Sequence, residues 1–187
     1  MRKKRDNKKL GLIWAAVIAL LMVTSIFGYI GRDSQETSTK NYNGFEFFED
    51  QNNWIVKVGE QGYVLDYFPE ELEDIELEAF DINSEKVYVV YNGGGIGQGA
   101  QYSISKLISF LNSFGIKSVL ACLDENNCLD DTLPLVSCDG DFPVIEFNVD
   151  SKTIIFINEE CIVLQSTDEN FSKLVDKLIY YWLGVME

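Results

Sequence analysis

Between Leu10 and Ile30 the chain reads LGLIWAAVIALLMVTSIFGYI, 21 consecutive residues without a charge. As a helix rising about 1.5 Å per residue, this run is roughly 31 Å long, close to the ~30 Å hydrocarbon core of a bilayer. The run therefore predicts a membrane span, and everything after it has to be placed relative to a membrane.

Charge gives the span a direction. Residues 1–9 carry six basic side chains (Arg2, Lys3, Lys4, Arg5, Lys8, Lys9) and one acid, Asp6, a net of +5. The rest of the chain carries nine basic and 29 acidic residues, a net of −20, which together give the −15 of the whole. Basic flanks stay on the cytoplasmic side, so the N-terminus is expected inside and the acidic portion outside. Trp14 and Tyr29 lie near opposite ends of the run, where amphipathic rings favour the interfaces. A cleaved signal peptide is the competing reading. The run exceeds the usual ~7–15-residue apolar region of such peptides and no A-x-A-like site follows it, so an uncleaved anchor is expected. The organisation expected is a cytoplasmic basic tail at 1–9, a transmembrane anchor at 10–30, a flexible tether at 31–43 and an extracytoplasmic α/β domain at 44–187. A polar tether of that length reaches about 20 Å. A domain at −20 repels phosphate backbones, which disfavours nucleic-acid binding.

The side-chain inventory excludes several chemistries. There is no histidine, which removes Ser-His-Asp and Cys-His catalysis, histidine-based zinc sites and any histidine pH switch. All four cysteines (Cys122, Cys128, Cys138, Cys161) fall in the domain expected outside. An even count in an oxidising compartment favours disulfides, and four cysteines allow three pairings. Cys122–Cys128 and Cys138–Cys161 are expected, because the first two are close in sequence and the second pair ties a loop to a predicted strand. Redox catalysis is disfavoured: the closest spacing is C-x5-C rather than C-x-x-C, in an acidic loop that would raise a thiol pKa.

Hydropathy patterning predicts a mixed α/β (α+β) domain on one mixed sheet. Phe45–Phe48, Trp54–Val58 and Tyr63–Tyr67 alternate apolar and polar residues between turn-forming segments and predict an antiparallel meander. Its aromatics (Tyr42, Phe45, Phe47, Phe48, Trp54, Tyr63, Tyr67, Phe68) are read as sheet core in preference to a sugar- or peptide-binding face. Pro69 opens the acidic stretch PEELEDIELEAFD, read as a solvated face with a short helix. Lys86–Tyr91, a helix with the face Ile104, Leu107, Ile108 and Leu111 stopped at Gly115, and Lys117–Leu123 predict a β-α-β unit with parallel strands. After a loop at 124–143, Val144–Val149, Thr153–Ile157 and Cys161–Gln165 predict a second antiparallel meander. A closing amphipathic helix from about Asp168 to Gly184 is marked by Phe171, Leu174, Val175, Leu178, Ile179 and Trp182, with Ser166 and Glu169 as a capping box.

Few motifs carry chemistry. Gly95-Ile-Gly97-Gln-Gly-Ala100 matches G-x-G-x-x-G/A between a strand and a helix, where glycines admit close approach of a pyrophosphate to a helix N-terminus. Gly95, Gly97 and Ala100 are thus weak candidates for a dinucleotide. Against them, the acid that should follow about 20 residues on is Asp124, too far along, and too little chain remains for a second mononucleotide half. A plain strand-to-helix loop is the preferred reading, with no cofactor. Asp124, Glu125, Asn126, Asn127, Asp130, Asp131, Asp139 and Asp141 offer oxygen ligands but not EF-hand spacing, so no metal site is assigned. Asn170-Phe-Ser172 is a glycosylation sequon at the start of the last helix.

Tyr42-Asn-Gly-Phe45, Cys138, Cys161-Ile162, Asp176-Lys-Leu-Ile-Tyr180 and Leu183-Gly-Val-Met186 resemble a set of short single-pass archaeal membrane proteins. That resemblance implies no activity and no catalytic residue, and it leaves the glycine-rich loop outside its match. The function expected is a non-enzymatic interaction or assembly module of the cell envelope, acting through an envelope protein or a second copy. The alternative is an extracytoplasmic carboxylate-based hydrolase or small-ligand-binding protein.

Overall fold

Among the described residues nine strands and two α-helices form in the order β1 (Thr39–Tyr42), β2 (Phe45–Asp50), β3 (Asn53–Val58), β4 (Gln61–Leu65), β5 (Lys86–Asn92), α1 (Gln98–Ser113), β6 (Lys117–Ala121), β7 (Val144–Val149), β8 (Ile154–Asn158), β9 (Cys161–Ser166) and α2 (Phe171–Trp182). The computed structural model describes residues 38–78, 80–92, 96–125, 128, 130 and 132–187. The span expected at 10–30 and the basic tail lie outside them. Among the described residues no helix is long and apolar enough to cross a membrane.

The architecture is mixed α+β, but on two sheets where the sequence predicts one. β1 to β4 form a four-stranded antiparallel meander in chain order, and β6-β5-β7-β9-β8 form a five-stranded mixed sheet. β1 lies within the segment read as tether, so the folded unit starts at Thr39 instead of residue 44. Asn43 (φ 48°) and Gly44 (φ 84°) are both left-handed, the two-residue turn that matches strand twist and joins β1 to β2.

The β-α-β unit forms as expected: β5 and β6 pair in parallel around α1, which ends ahead of left-handed Gly115. The second meander does not form. β7 pairs in parallel with β9, and β8 is an edge strand antiparallel to β9 alone. Burial explains the order. β9 has five of six residues buried and β7 four, so each needs a neighbour along both edges, whereas Ile157 and Asn158 of β8 are exposed.

Both helices pack on one face of the five-stranded sheet. Val87, Val89 and Tyr91, Ile145 and Phe147, and Ile162 and Leu164 point to that face and share a core with Leu107, Leu111, Phe171, Leu174 and Leu178. The predicted stripe of α2 is buried, Trp182 partly so, and the meander closes over it: Phe47 meets Tyr180 edge-on at 5.8 Å between centroids. Phe47, Trp54 and Phe68 are core, which bears out the reading of those rings, while Phe45, Tyr63 and Tyr67 pack at its margin. A second, smaller core (Val90, Ala121, Val144, Cys161, Val163) lies on the opposite sheet face beneath Val136 and Cys138 of the long loop.

That loop is stapled by both expected disulfides, Cys122–Cys128 and Cys138–Cys161, with Cα separations of 5.3 and 5.0 Å. In the chain-entropy account, closing the six- and 23-residue separations stabilises by roughly 2 and 3 kcal/mol. Replacing Cys138 and Cys161 together by serine should therefore lower unfolding free energy by roughly 3 kcal/mol in urea titrations, more than the Cys122/Cys128 pair.

Candidate functional site

The glycine-rich loop leads into α1, whose first amides are the anion site that the motif implies. The anion present is the protein's own. Asp168, at the start of the turn leading into α2, accepts from the N–H of Gly99 (3.2 Å) and of Ala100 (3.0 Å). A carboxylate there is favoured by the helix dipole and by the unsatisfied N–H groups of the first turn. The glycines serve this contact. A Cβ on Gly97 would fall 2.3 Å from the Asp168 carboxyl group, and one on Gly99 would fall 2.3 Å from the Asp168 carbonyl oxygen. Tyr91 lies close by, its phenol pushed up by burial and then by Asp168. Gly95 lies outside the described residues. Ser166 and Glu169 do not form the expected capping box: no side chain caps this end, and Ser166 Oγ is buried against Thr153 Oγ1 at 3.2 Å. The carboxylate needed for capping is the one between them, and it caps the other helix.

A second charged group ties meander to helices. Lys106 on α1 contacts Asp176 on α2 at 2.5 Å and Asp66, just after β4, at 2.9 Å. The other Asp176 oxygen accepts the backbone N–H groups of Asp66 (2.7 Å) and Tyr67 (3.1 Å). Tyr102 donates to Asp66 at 2.9 Å, and Tyr180 donates to the Tyr67 carbonyl at 2.8 Å. Asp176 is fully buried, and burial raises its pKa to about 6 against the opposing pull of Lys106. Burial first, then the Asp66 hydrogen bond, pushes Tyr102 up to about 12. The folded state therefore holds a proton on Asp176 at pH values where the unfolded chain, with its carboxyl near the ordinary 3.8, has released it. Between about pH 4 and 6 this group's contribution to stability falls as pH rises, by at most about 1.4 kcal/mol per unit. Subtracting the stability–pH curve of Asp176→Asn from that of the native chain should isolate this negative slope. A flat difference would refute it.

Two acidic side chains of the loop, Asp130 and Asp139, bond to residues two positions away. Asp130 accepts from both the N–H and the hydroxyl of Thr132, which holds its carboxyl below the usual range. Asp139 takes the Ser137 hydroxyl. Asn126, Asn127 and Asp131 lie outside the described residues. Asn170 of the sequon donates to Thr167 Oγ1 at 3.0 Å.

Two large apolar side chains, Val64 and Phe114, are exposed near the outer edge of the meander. Among the described residues β4 has no strand beyond it, and Val64 on β4 is 56% exposed. On the other face of β4 Tyr63 stacks on Phe114, itself 51% exposed, and Phe114 meets Phe110, which stacks on Trp182. Phe110 lines two concavities of about 400 and 420 Å³. Tyr63, expected as sheet core, is half-buried at this margin, and a single aromatic before Gly115 carries no periodicity that would mark Phe114.

No protein-family model, curated protein or solved structure matches the chain.

Proposed function

We propose that this chain is a single-pass membrane protein with its N-terminus in the cytoplasm. Its disulfide-stapled domain works outside the cell as a non-enzymatic module that contacts another envelope component or a second copy. The observation that carries this reading is the pairing of all four cysteines. Such bonds persist in oxidising compartments and are rare in the cytosol, and the basic-apolar-acidic order of the chain calls for the same placement. The contact surface is the margin of the meander at Val64 and Phe114, both more than half exposed, beside the edge strand β4.

The carboxylate-hydrolase alternative draws less support. Asp66 and Asp176 converge, but on Lys106 and backbone amides, and Asp176 is closed to solvent. A photo-crosslinking residue in place of Phe114, activated in intact cells, should give one adduct of defined mass that disappears when Val64 is also changed to Asp. Recovery of monomer alone would contradict the reading.

A further inference from the structure

Four consecutive residues of β7, 144–147, are buried, and one of them is a carboxylate, Glu146. Its register neighbours on β5 and β9 are Val90 and Val163. The strand order reverses at this place. The chain leaves β5 through α1 to lay β6 on one side, then returns to lay β7 on the other side of β5. Where parallel strands flank such a reversal, ligands bind in the crevice at their carboxyl ends. Asn92 is the last residue of β5, and Glu146 lies in the second half of β7.

Glu146 is 7% exposed, and Asn92 Nδ2 donates to its Oε1 at 2.9 Å. A carboxylate has no proton to give, so this bond orients the Asn92 amide and leaves its oxygen to accept elsewhere. Glu146 Oε2 has no protein donor, yet it is not sealed from solvent. An enclosed side chain with one open oxygen marks a recess. Among the described residues no ion pair reaches Glu146, and Lys106 is engaged with Asp66 and Asp176. Two positions further along the strands, on the same face, register sets Asn92, Asn148 and Gln165 side by side across β5, β7 and β9. All three are half-buried, and among the described residues the side chains of Asn148 and Gln165 are committed to no partner.

We propose that this recess takes the ammonium group of a primary amine. Its N–H donors meet Glu146 Oε2 and the amide oxygens of Asn92 and Asn148, and its single positive charge answers the single carboxylate. A calcium ion matches less well, since it takes six to eight oxygens, and among the described residues no three acidic side chains gather to hold a metal. A neutral polyol would leave the carboxylate without a counter-charge. The net −20 of the chain after residue 9 draws cations towards it. The recess lies on the sheet face opposite the helices, separate from Val64 and Phe114, so its failure would leave the interaction reading standing.

The test uses the full chain in detergent with its disulfides intact. Ethylammonium chloride at ~10 mM, enough to reveal a ligand of ~1 mM affinity, should raise the unfolding midpoint saturably. Tetramethylammonium chloride carries the same charge without N–H donors, and should leave the midpoint where sodium chloride leaves it. Nα-acetyl-lysine methylamide separates two sources of the group. Tighter binding than ethylammonium assigns it to a lysine of a partner protein, equal or weaker binding assigns it to a free amine, and either upholds the site. Glu146→Gln keeps an acceptor for Asn92 and should weaken ethylammonium roughly tenfold or more. In the native chain, the carbon-13 resonance of the Glu146 carboxyl group should move along the same titration curve. No saturable response to ethylammonium, an equal response to tetramethylammonium, a larger response to calcium chloride, unchanged affinity in Glu146→Gln, or a static Glu146 resonance would each overturn the proposal.

Discussion

Gly99→Ala is expected to unfold this domain or to cost more than about 3 kcal/mol, far beyond the gain that alanine brings to an ordinary helical position. The new Cβ would lie 2.3 Å from the carbonyl oxygen of Asp168 and 2.9 Å from its carbonyl carbon. Backbone cannot swing aside as a side chain can, so α1 and the turn before α2 must separate. Gly97→Ala meets a different obstacle, since its three nearest atoms belong to the Asp168 carboxyl group. The two variants should therefore part company in an Asp168→Ala background. Gly97→Ala should become nearly neutral there, and Gly99→Ala should remain severe. Urea titration of the four combinations measures this directly. Equal rescue of both variants would show that the close approach is not to the Asp168 backbone. Asp168→Ala alone should cost about 1 kcal/mol, as the loss of a helix N-terminal carboxylate usually does.

The second large effect is expected at Asp176. Asp176→Ala leaves Lys106 without its closest partner and strands the amides of Asp66 and Tyr67. Breaking a buried pair from one side typically costs about 3–5 kcal/mol. Lys106 keeps Asp66 at 2.9 Å and is only partly enclosed, so Lys106→Met should cost less than Asp176→Ala. The double variant should cost less than the sum of the singles, with a coupling of about 1–3 kcal/mol in the cycle. Additive costs would mean that the two groups do not act together. The larger part of the Asp176 effect comes from the stranded backbone amides, and Asp176→Asn, which retains one carbonyl acceptor, should recover a portion of it.

The two effects share a cause that sequence periodicity does not display. Helix and strand patterns report which residues face a core, and here they located the first meander, the β-α-β unit and the stripe of α2. They are silent on which strands become neighbours. Short turns between Val144–Val149, Thr153–Ile157 and Cys161–Gln165 suggest a meander with Thr153–Ile157 in the middle, yet β7 and β9, each buried on both faces, are parallel neighbours and β8 is at the edge. That continuous apolar character was visible in the residues and was outweighed by loop length. Asn43-Gly44 was likewise a hairpin signal, but Thr39–Tyr42 before it is too polar to read as a strand.

Polar side chains were the least legible. Local spacing marks Ser166 and Glu169 as a capping box, whereas Asp168 between them caps a helix about 70 residues earlier, a contact that no local spacing displays. Asp176 and Lys177 interrupt FSKLVDKLIYYW on a helix that is buried nearly all round, a circumstance that only the meander lying over α2 reveals. The disulfide pairing was legible, since nearness in sequence and the loop-to-strand tie are both retained in the fold.

We propose that residues 39–187 lie outside the cell and residues 1–9 in the cytoplasm. A membrane-impermeant amine reagent applied to intact cells and read residue by residue tests it. Exposed lysines of the folded domain such as Lys57 and Lys117 should be labelled, while Lys3, Lys4, Lys8 and Lys9 should react only after the membrane is opened. Labelling of the N-terminal lysines in intact cells, with Lys57 and Lys117 protected, would reverse the topology and contradict the account.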